Sequence, residues 1–309
     1  MHHRRFRYYV GGGLTLMLFL VATACSRGQQ TPPQILYAAV PETATIDLFP
    51  VDARADAQPV AVIKEPSSDK PIDVSVDLLG EVFVANENGN VRAYGGRNYQ
   101  YQLIRTVEGP HTRIQHPTAL SVDIAGSFYI AEEGDRPGQA RIEWFAAGLN
   151  GNVMPDRVIS GTHTGLTSPH GIALDASGRL FVADRNSNKV LIFDADARDD
   201  AAPVVTLSGL NAPERISVDP ELNIYVTNKG NNTISIFSST GPQSWALTAT
   251  ISSALLHNPG GVAADAAGRI AVTATGGVLF FAPNANGSAE PVLNLRGSTP
   301  MNPTGIYIR

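Results

Sequence analysis

An all-β fold, a six-bladed β-propeller of four-stranded blades, is predicted by three observations. Proline recurs as Pro71, Pro117, Pro169, Pro213, Pro259 and Pro303, at intervals of 46, 52, 44, 46 and 44 residues. An aspartate stands six positions after the first five of these (Asp77, Asp123, Asp175, Asp219, Asp265), and Gly80, Gly126, Gly178 and Gly268 stand nine positions after; Leu222 breaks the rule. Each interval holds four short runs rich in β-branched and aromatic residues, and the third run ends in an aromatic: Tyr94, Phe145, Phe193, Phe237 and Phe281, with Phe49 in the leading part of the chain. Units of this length with four strands are the blade period of a propeller.

The amino terminus precedes the fold. Met1-His-His-Arg-Arg-Phe-Arg7 is basic, residues 10–24 are apolar, and Cys25 follows Ala22-Thr-Ala24. This is the layout of an export signal, too short for a comfortable membrane span. Cys25 is the only cysteine, so it has no disulfide partner. Leu20-Val-Ala-Thr-Ala-Cys25 resembles a lipobox, with Ala22 where leucine is usual, and the expectation is lipidation at Cys25 and anchoring in a bacterial cell envelope. An ordinary signal peptide with an incidental cysteine is the plainer reading. Three of the 23 basic residues and none of the 28 acidic ones lie in residues 1–24, so the remainder carries 20 basic against 28 acidic side chains, a net charge of −8. That balance argues against a nucleic-acid partner.

Residues 26–33 are polar and end in Pro32-Pro33, as a flexible tether would, with a reach of about 15 Å. Strands are expected at 35–40, 45–49 and 59–63. The clearest unit follows at 169–207. There, 171–174 and 180–183 flank Asp175-Ala-Ser-Gly178; the aspartate can bond turn amides and the glycine accepts positive φ, so the pair reads as a hairpin. Residues 190–193 and 204–207 supply the third and fourth strands. The chain starts with three strands that lack a Pro-led one and finishes with Pro303-Thr-Gly-Ile-Tyr-Ile-Arg309, a Pro-led strand without successors. Pairing the last strand with the first three closes the ring at six blades and removes two open edges. A linear solenoid would need caps that the sequence does not offer.

The unit Pro-x-Gly-Ile-Ala-x-Asp-x-x-Gly-x-Leu-Phe-Val-Ala-Asp-x-x-Asn, followed by Val-Leu-Ile-Phe, resembles the NHL repeat over residues 169–193; residues 213–237 and 117–145 match with losses. The resemblance extends over 34–309 and implies a propeller with the Pro-led strand innermost. It also implies relatives of two kinds: protein- and RNA-binding modules, and the more distant gluconolactonase-like hydrolases and lyases, which hold a divalent cation at the channel mouth through Glu, Asn and Asp. Fold alone does not choose between them.

In such a ring, residues just after each proline meet those fifteen positions after it. Blades three to five then gather Glu132, His170, Asp184, Glu214, Arg215 and Asn228 at the mouth. Glu132, His170, Asp184 and Glu214 are the candidates for acid–base or metal chemistry; His170, Glu214, Arg215 and Asn228 are the candidates for ligand binding. Gly260, Ala274, Thr304 and Val40 leave the other side without ligands. A structural role is open for Asn86, Glu132, Asp184 and Asn228, which can bond amides in the turn after strand two, and Arg215 can serve as an ion-pair partner of Glu214 or a neighbouring acid. His111, His116, His163, His170 and His257 all lie in or beside the connectors to innermost strands, which suggests either ordinary loop polarity or a metal- or pH-responsive face. No nucleophile elbow, phosphate loop or zinc-protease motif occurs in the sequence. The reading is therefore a monomeric, exported, lipid-anchored binding or scaffold module for a protein or glycan partner, with no committed cofactor. The alternative is a metal-dependent lactonase- or lyase-like enzyme.

Overall fold

A computed structural model describes residues 34–134, 138–297 and 301–309. Six sheets follow one another around an axis, and in each the Pro-led strand is first in the order of hydrogen-bonded neighbours. Blade 1 combines Gly305–Ile308 with Ile35–Val40, Thr45–Pro50 and Ala61–Lys64. Its closing register is Leu36↔Ile308, Tyr37↔Tyr307, Ala38↔Ile306 and Ala39↔Gly305. Blades 2 to 6 occupy 71–107, 117–159, 169–207, 213–252 and 262–295. Blade 5 departs from four strands: Gly287–Ser288, from the long loop of blade 6, adds in parallel beside its outermost strand. The expected strands at 45–49 and 59–63 are observed as Thr45–Pro50 and Ala61–Lys64.

The recurring residues each have a local task. Proline begins the innermost strand of blades 2 to 5 and stands just ahead of it in blades 6 and 1, where its missing N–H breaks no ladder bond. The aspartate of each Asp-x-x-Gly turn accepts a bond through Oδ1 from the amide four residues on, in all five copies. Gly178 has φ +83° at the left-handed position of that turn, and Leu222 adopts φ +63° at the same place without glycine. The turn therefore survives the one departure from the repeat. The six third-strand aromatics are all buried.

The core lies between blades, not at the axis. Phe193, Leu180 and Val182 of blade 4 share one cluster with Tyr129, Ile142 and Ile159 of blade 3. Second strands are covered on both faces, so Leu180–Asp184 and Phe128–Glu132 are buried throughout. Continuous apolar runs, with no alternation, follow from that two-sided burial. Outermost strands such as Gln100–Val107 are largely exposed. Among the described residues no helix is long and apolar enough to cross a membrane. Residues 1–33, with Cys25, lie outside the described residues.

Candidate functional site

The ends of the second strands and the starts of the innermost strands meet at one face, as Pro71↔Asn86, Pro117↔Glu132, Pro169↔Asp184 and Pro213↔Asn228. Directly after each of these prolines the ladder slips. A bulge leaves the extra residue unpaired and re-aims its side chain. The residues so displaced are Ile72, Thr118, His170 and, with a two-residue slip, Glu214 and Arg215. The repeat thus offers a variable position at the mouth without disturbing the blade.

The residues fifteen positions after the proline have a different fate. Glu132 and Asp184 are fully buried, and Asn228 is nearly so. Glu132 accepts from the amides of Gln115 and His116, at 3.0 and 3.1 Å, and from Arg141 at 3.1 Å. Asp184 accepts from the amides of Thr167, Ser168 and Ser187, at 2.7, 2.9 and 3.1 Å, and from the Thr167 hydroxyl. Asn228 accepts from the Asn211 amide and donates to the hydroxyls of Thr233 and Ser235. Most of these bonds run to the connector that enters the innermost strand, not to the turn after strand two. Connector amides buried without partners would each be costly, so these side chains bracket the loop to the blade. Desolvation raises the carboxyl of Glu132 above its ordinary range, against the opposing amide of His116 and the charge of Arg141.

His170 and Glu214 stand above this layer. Their side chains keep 15% and 13% of their surface exposed, and Nδ1 of His170 lies 3.6 Å from Oε2 of Glu214. Glu214 pairs with Arg185 at 2.6 Å and Lys229 at 3.3 Å. Arg185 Nη1 is 3.5 Å from His170 Nε2, and Glu133 approaches the same ring nitrogen at 3.9 Å while accepting from the Ser168 hydroxyl. Burial holds the imidazole below its usual range, and Arg185 and Arg215 add to that while Glu214 and Glu133 oppose it. For Glu214, burial works upward but is outweighed by Arg215, His170, Lys229 and Arg185, and its carboxyl stays low. The mouth of blades 3 to 5 therefore carries two acids, two bases and an imidazole in contact. Glu133, Arg185 and Lys229 were not among the residues expected here. They stand sixteen positions after their prolines, one beyond the buried bracket, and charge at that position (with Glu87 in blade 2) is the signal for them.

Arg215 turns inward. Its guanidinium donates to the carbonyls of Thr118 and His170, and to that of Ile72 at 3.1 Å, so one side chain from blade 5 ties together blades 2, 3 and 4. It bonds carbonyls and not the carboxylate of Glu214. At the same level, two residues after each proline, stand Asp73, Ala119, Gly171, Gly261 and Gly305. The space is needed: a Cβ on Gly171 would lie 2.8 Å from the Arg215 Cα, and one on Gly261 would lie 2.6 Å from the Ile306 amide. Asp73 accepts from the amides of Val74 and Leu120. Desolvation raises its carboxyl, against the charge of Arg215. Below this neck a cavity of about 670 Å³ extends to the turns at 219–221 and 265–268 and to Gln34, on the face opposite the mouth.

The other histidines belong to connectors. His111 and His163 occupy matching loops, held by Asn152 and Asp200 respectively. In both loops a buried threonine, Thr112 or Thr164, donates to the carbonyl of Gly109 or Gly161. Among the described residues no three His, Cys, Asp or Glu side chains are grouped so as to hold a metal ion.

The comparisons agree with this architecture. The sequence profile of the NHL repeat matches residues 166–193. No curated protein sequence matches the chain. Among solved structures, the chain is similar to a protein of unknown function from Bacteroides caccae (12% identity, TM-score 0.62, covering 89% of this chain and 98% of that one). It is also similar to the periplasmic gluconolactonase PpgL of Pseudomonas aeruginosa (14% identity, TM-score 0.58, 89% and 98%). A functionally unknown protein from Desulfotomaculum acetoxidans shares 14% identity at a TM-score of 0.56, over 85% of this chain and 83% of that one. At such identities the likeness carries the fold. The chain is a six-bladed β-propeller in which residues 166–193 match the NHL repeat.

Proposed function

We propose that this propeller is a recognition module that presents its mouth to a protein or glycan partner in the cell envelope, where acylated Cys25 would anchor it. One observation carries the reading. The polar side chains at the mouth divide into a buried layer spent on its own connectors (Glu132, Asp184, Asn228) and an accessible mixed-charge layer (Glu133, His170, Arg185, Glu214, Lys229). Mixed signs in fixed geometry suit the specific docking of a polar surface. Rigid blades with variable bulged positions suit a partner-specific loop set.

The alternative is a metal-dependent lactonase or lyase at the mouth, favoured by the shape shared with the gluconolactonase of P. aeruginosa. It would require Glu132 and Asp184 to release the amides they now bind.

The two readings separate in one set of measurements on the full chain. Binding to peptidoglycan fragments and to purified envelope proteins is followed by interferometry, for the parent and for Glu214→Ala and Lys229→Ala. The proposal expects a ligand whose affinity falls at least about tenfold in both variants with little change in melting temperature. Turnover of aldonolactones on adding calcium, magnesium or zinc, abolished by Asp184→Asn, would replace it with the enzymatic reading.

A further inference from the structure

Gln34, the first described residue, lies on the face opposite the mouth. Gln34 borders the cavity at that face and accepts a bond from the Ala266 amide in the blade 6 turn. Next to it, Ile35 exchanges two backbone bonds with Arg309. Arg309 in turn donates through Nη2 to the Leu78 carbonyl at 2.6 Å, and Asp77 of that turn lies against Gly126 of the blade 3 turn. Gln34–Ile35 and the Asp-x-x-Gly turns of blades 2 and 3 are thus contiguous through Arg309.

Those two turns carry apolar side chains where a soluble turn would be polar. Leu78 is 65% exposed, Leu79 82% and Ile124 74%. None has a part in the turn itself, which the aspartates and glycines already fix. The matching positions in blades 4 to 6 are Ala176-Ser177, Pro220-Glu221 and Ala266-Ala267, so the repeat does not demand large apolar groups. Tyr99 and Met154 are further exposed apolar groups in outer turns of the same two blades. The exposed acids of this face include Asp194, Asp196 and Glu221 on blades 4 and 5, and Asp156 beside Met154 on blade 3. Blade 1 adds Asp52 and Asp56 with Arg54 between them.

We propose that this face rests on the lipid bilayer through Leu78, Leu79 and Ile124, with blades 2 and 3 lowest and the mouth directed away from the membrane. The inference builds on the reading of Cys25 as an acylated anchor. Eight residues, 26–33, separate Cys25 from Gln34; a flexible coil of that length would span about 15 Å. A six-residue strand is about 20 Å long, so bringing the mouth face down would demand a nearly extended linker, whereas the opposite face needs none. An apolar loop tip adds to a lipid anchor, since lasting attachment takes more than a single weak signal. Arg309 at the margin of the patch suits anionic headgroups. The arrangement leaves His170 and Glu214 pointing toward whatever the envelope presents.

The test uses the full chain, produced in cells and transferred to vesicles of phosphatidylethanolamine and phosphatidylglycerol. A fluorophore is placed on Leu79→Cys or, at the mouth, on Asn231→Cys, and the vesicles contain brominated acyl chains as quenchers. Quenching at least about twofold stronger for Leu79→Cys than for Asn231→Cys is expected. Equal quenching, quenching of neither, or stronger quenching at Asn231 would overturn the orientation. Incorporation of labelled palmitate, and its loss in Cys25→Ser, is measured separately and decides the anchor. Palmitate incorporation with unquenched Leu79 defeats the orientation alone; no incorporation defeats the anchor, and the quenching ratio still decides the surface.

Discussion

Nδ1 of His170 lies 3.6 Å from Oε2 of Glu214, across the seam between blades 4 and 5. The pair is only partly screened from solvent, and the two groups act on each other in opposite directions to burial. Desolvation lowers the imidazole, and Glu214 partly restores it. A titration of His170 by NMR should therefore have its midpoint below the ordinary value of about 6.5, and Glu214→Gln should move it lower still. A midpoint that rises in the variant would contradict the contact. The folded chain binds fewer protons at this site than the unfolded chain just below pH 6.5, so the site's contribution to stability rises with pH through that window.

Arg215 and Asp73 face each other in the neck of the channel, both largely removed from water. Arg215→Met would strip three carbonyls of their donor and leave Asp73 without its compensating charge. A loss of about 3–5 kcal/mol in urea denaturation is expected, partly recovered by adding Asp73→Asn. A loss below about 1 kcal/mol would mean that the neck is held by something else.

Crowding in the same neck gives a second, opposite manipulation. A methyl at Gly171 would lie 2.8 Å from the Arg215 Cα and 3.0 Å from the Glu214 carbonyl, and neither can rotate away. Gly171→Ala should cost about 1–3 kcal/mol and lower the melting temperature by several degrees in scanning calorimetry. An unchanged melting temperature would show that blades 4 and 5 can separate freely.

Glu143 offers a pH signature of the scaffold. It is buried beside Arg141, yet desolvation raises its carboxyl to about 7. The folded chain holds this proton between pH 4.5 and 7 while the unfolded chain has lost it, so the contribution to stability is largest in acid and declines as pH rises through that window. The span corresponds to about 3 kcal/mol at most. Compared with the parent, Glu143→Gln should keep more of its pH 5 stability at pH 8. Parallel pH profiles for the two chains would rule out the raised carboxyl.

Much of the fold was legible because its repeated residues do local work. Asp175 binds the Arg179 amide and Phe193 fills the space between two blades, and any blade with those tasks needs those residues. Ring closure was legible for the same reason: 35–40 lacked an inner neighbour and 305–308 lacked an outer one. The site was less so. Periodicity places Glu132, Asp184 and His170 at one face but does not say which side chains point inward, because a one-residue bulge decides it. Arg215 was expected to seek a carboxylate; its carbonyl partners come from three blades, a convergence visible only in three dimensions. Arg185 and Lys229 went unnoticed because surface charge in a turn is common.

The account depends on the mouth having two layers, one structural and one available to a partner. Urea denaturation of Asp184→Asn beside His170→Ala tests this most directly. Both Asp184 oxygens accept bonds, so an amide in that place faces donors with a donor, and a loss of about 3 kcal/mol is expected. His170→Ala should lose less than about 1 kcal/mol. If Asp184→Asn proves neutral while His170→Ala unfolds the blade, the division between bracket and recognition surface is wrong.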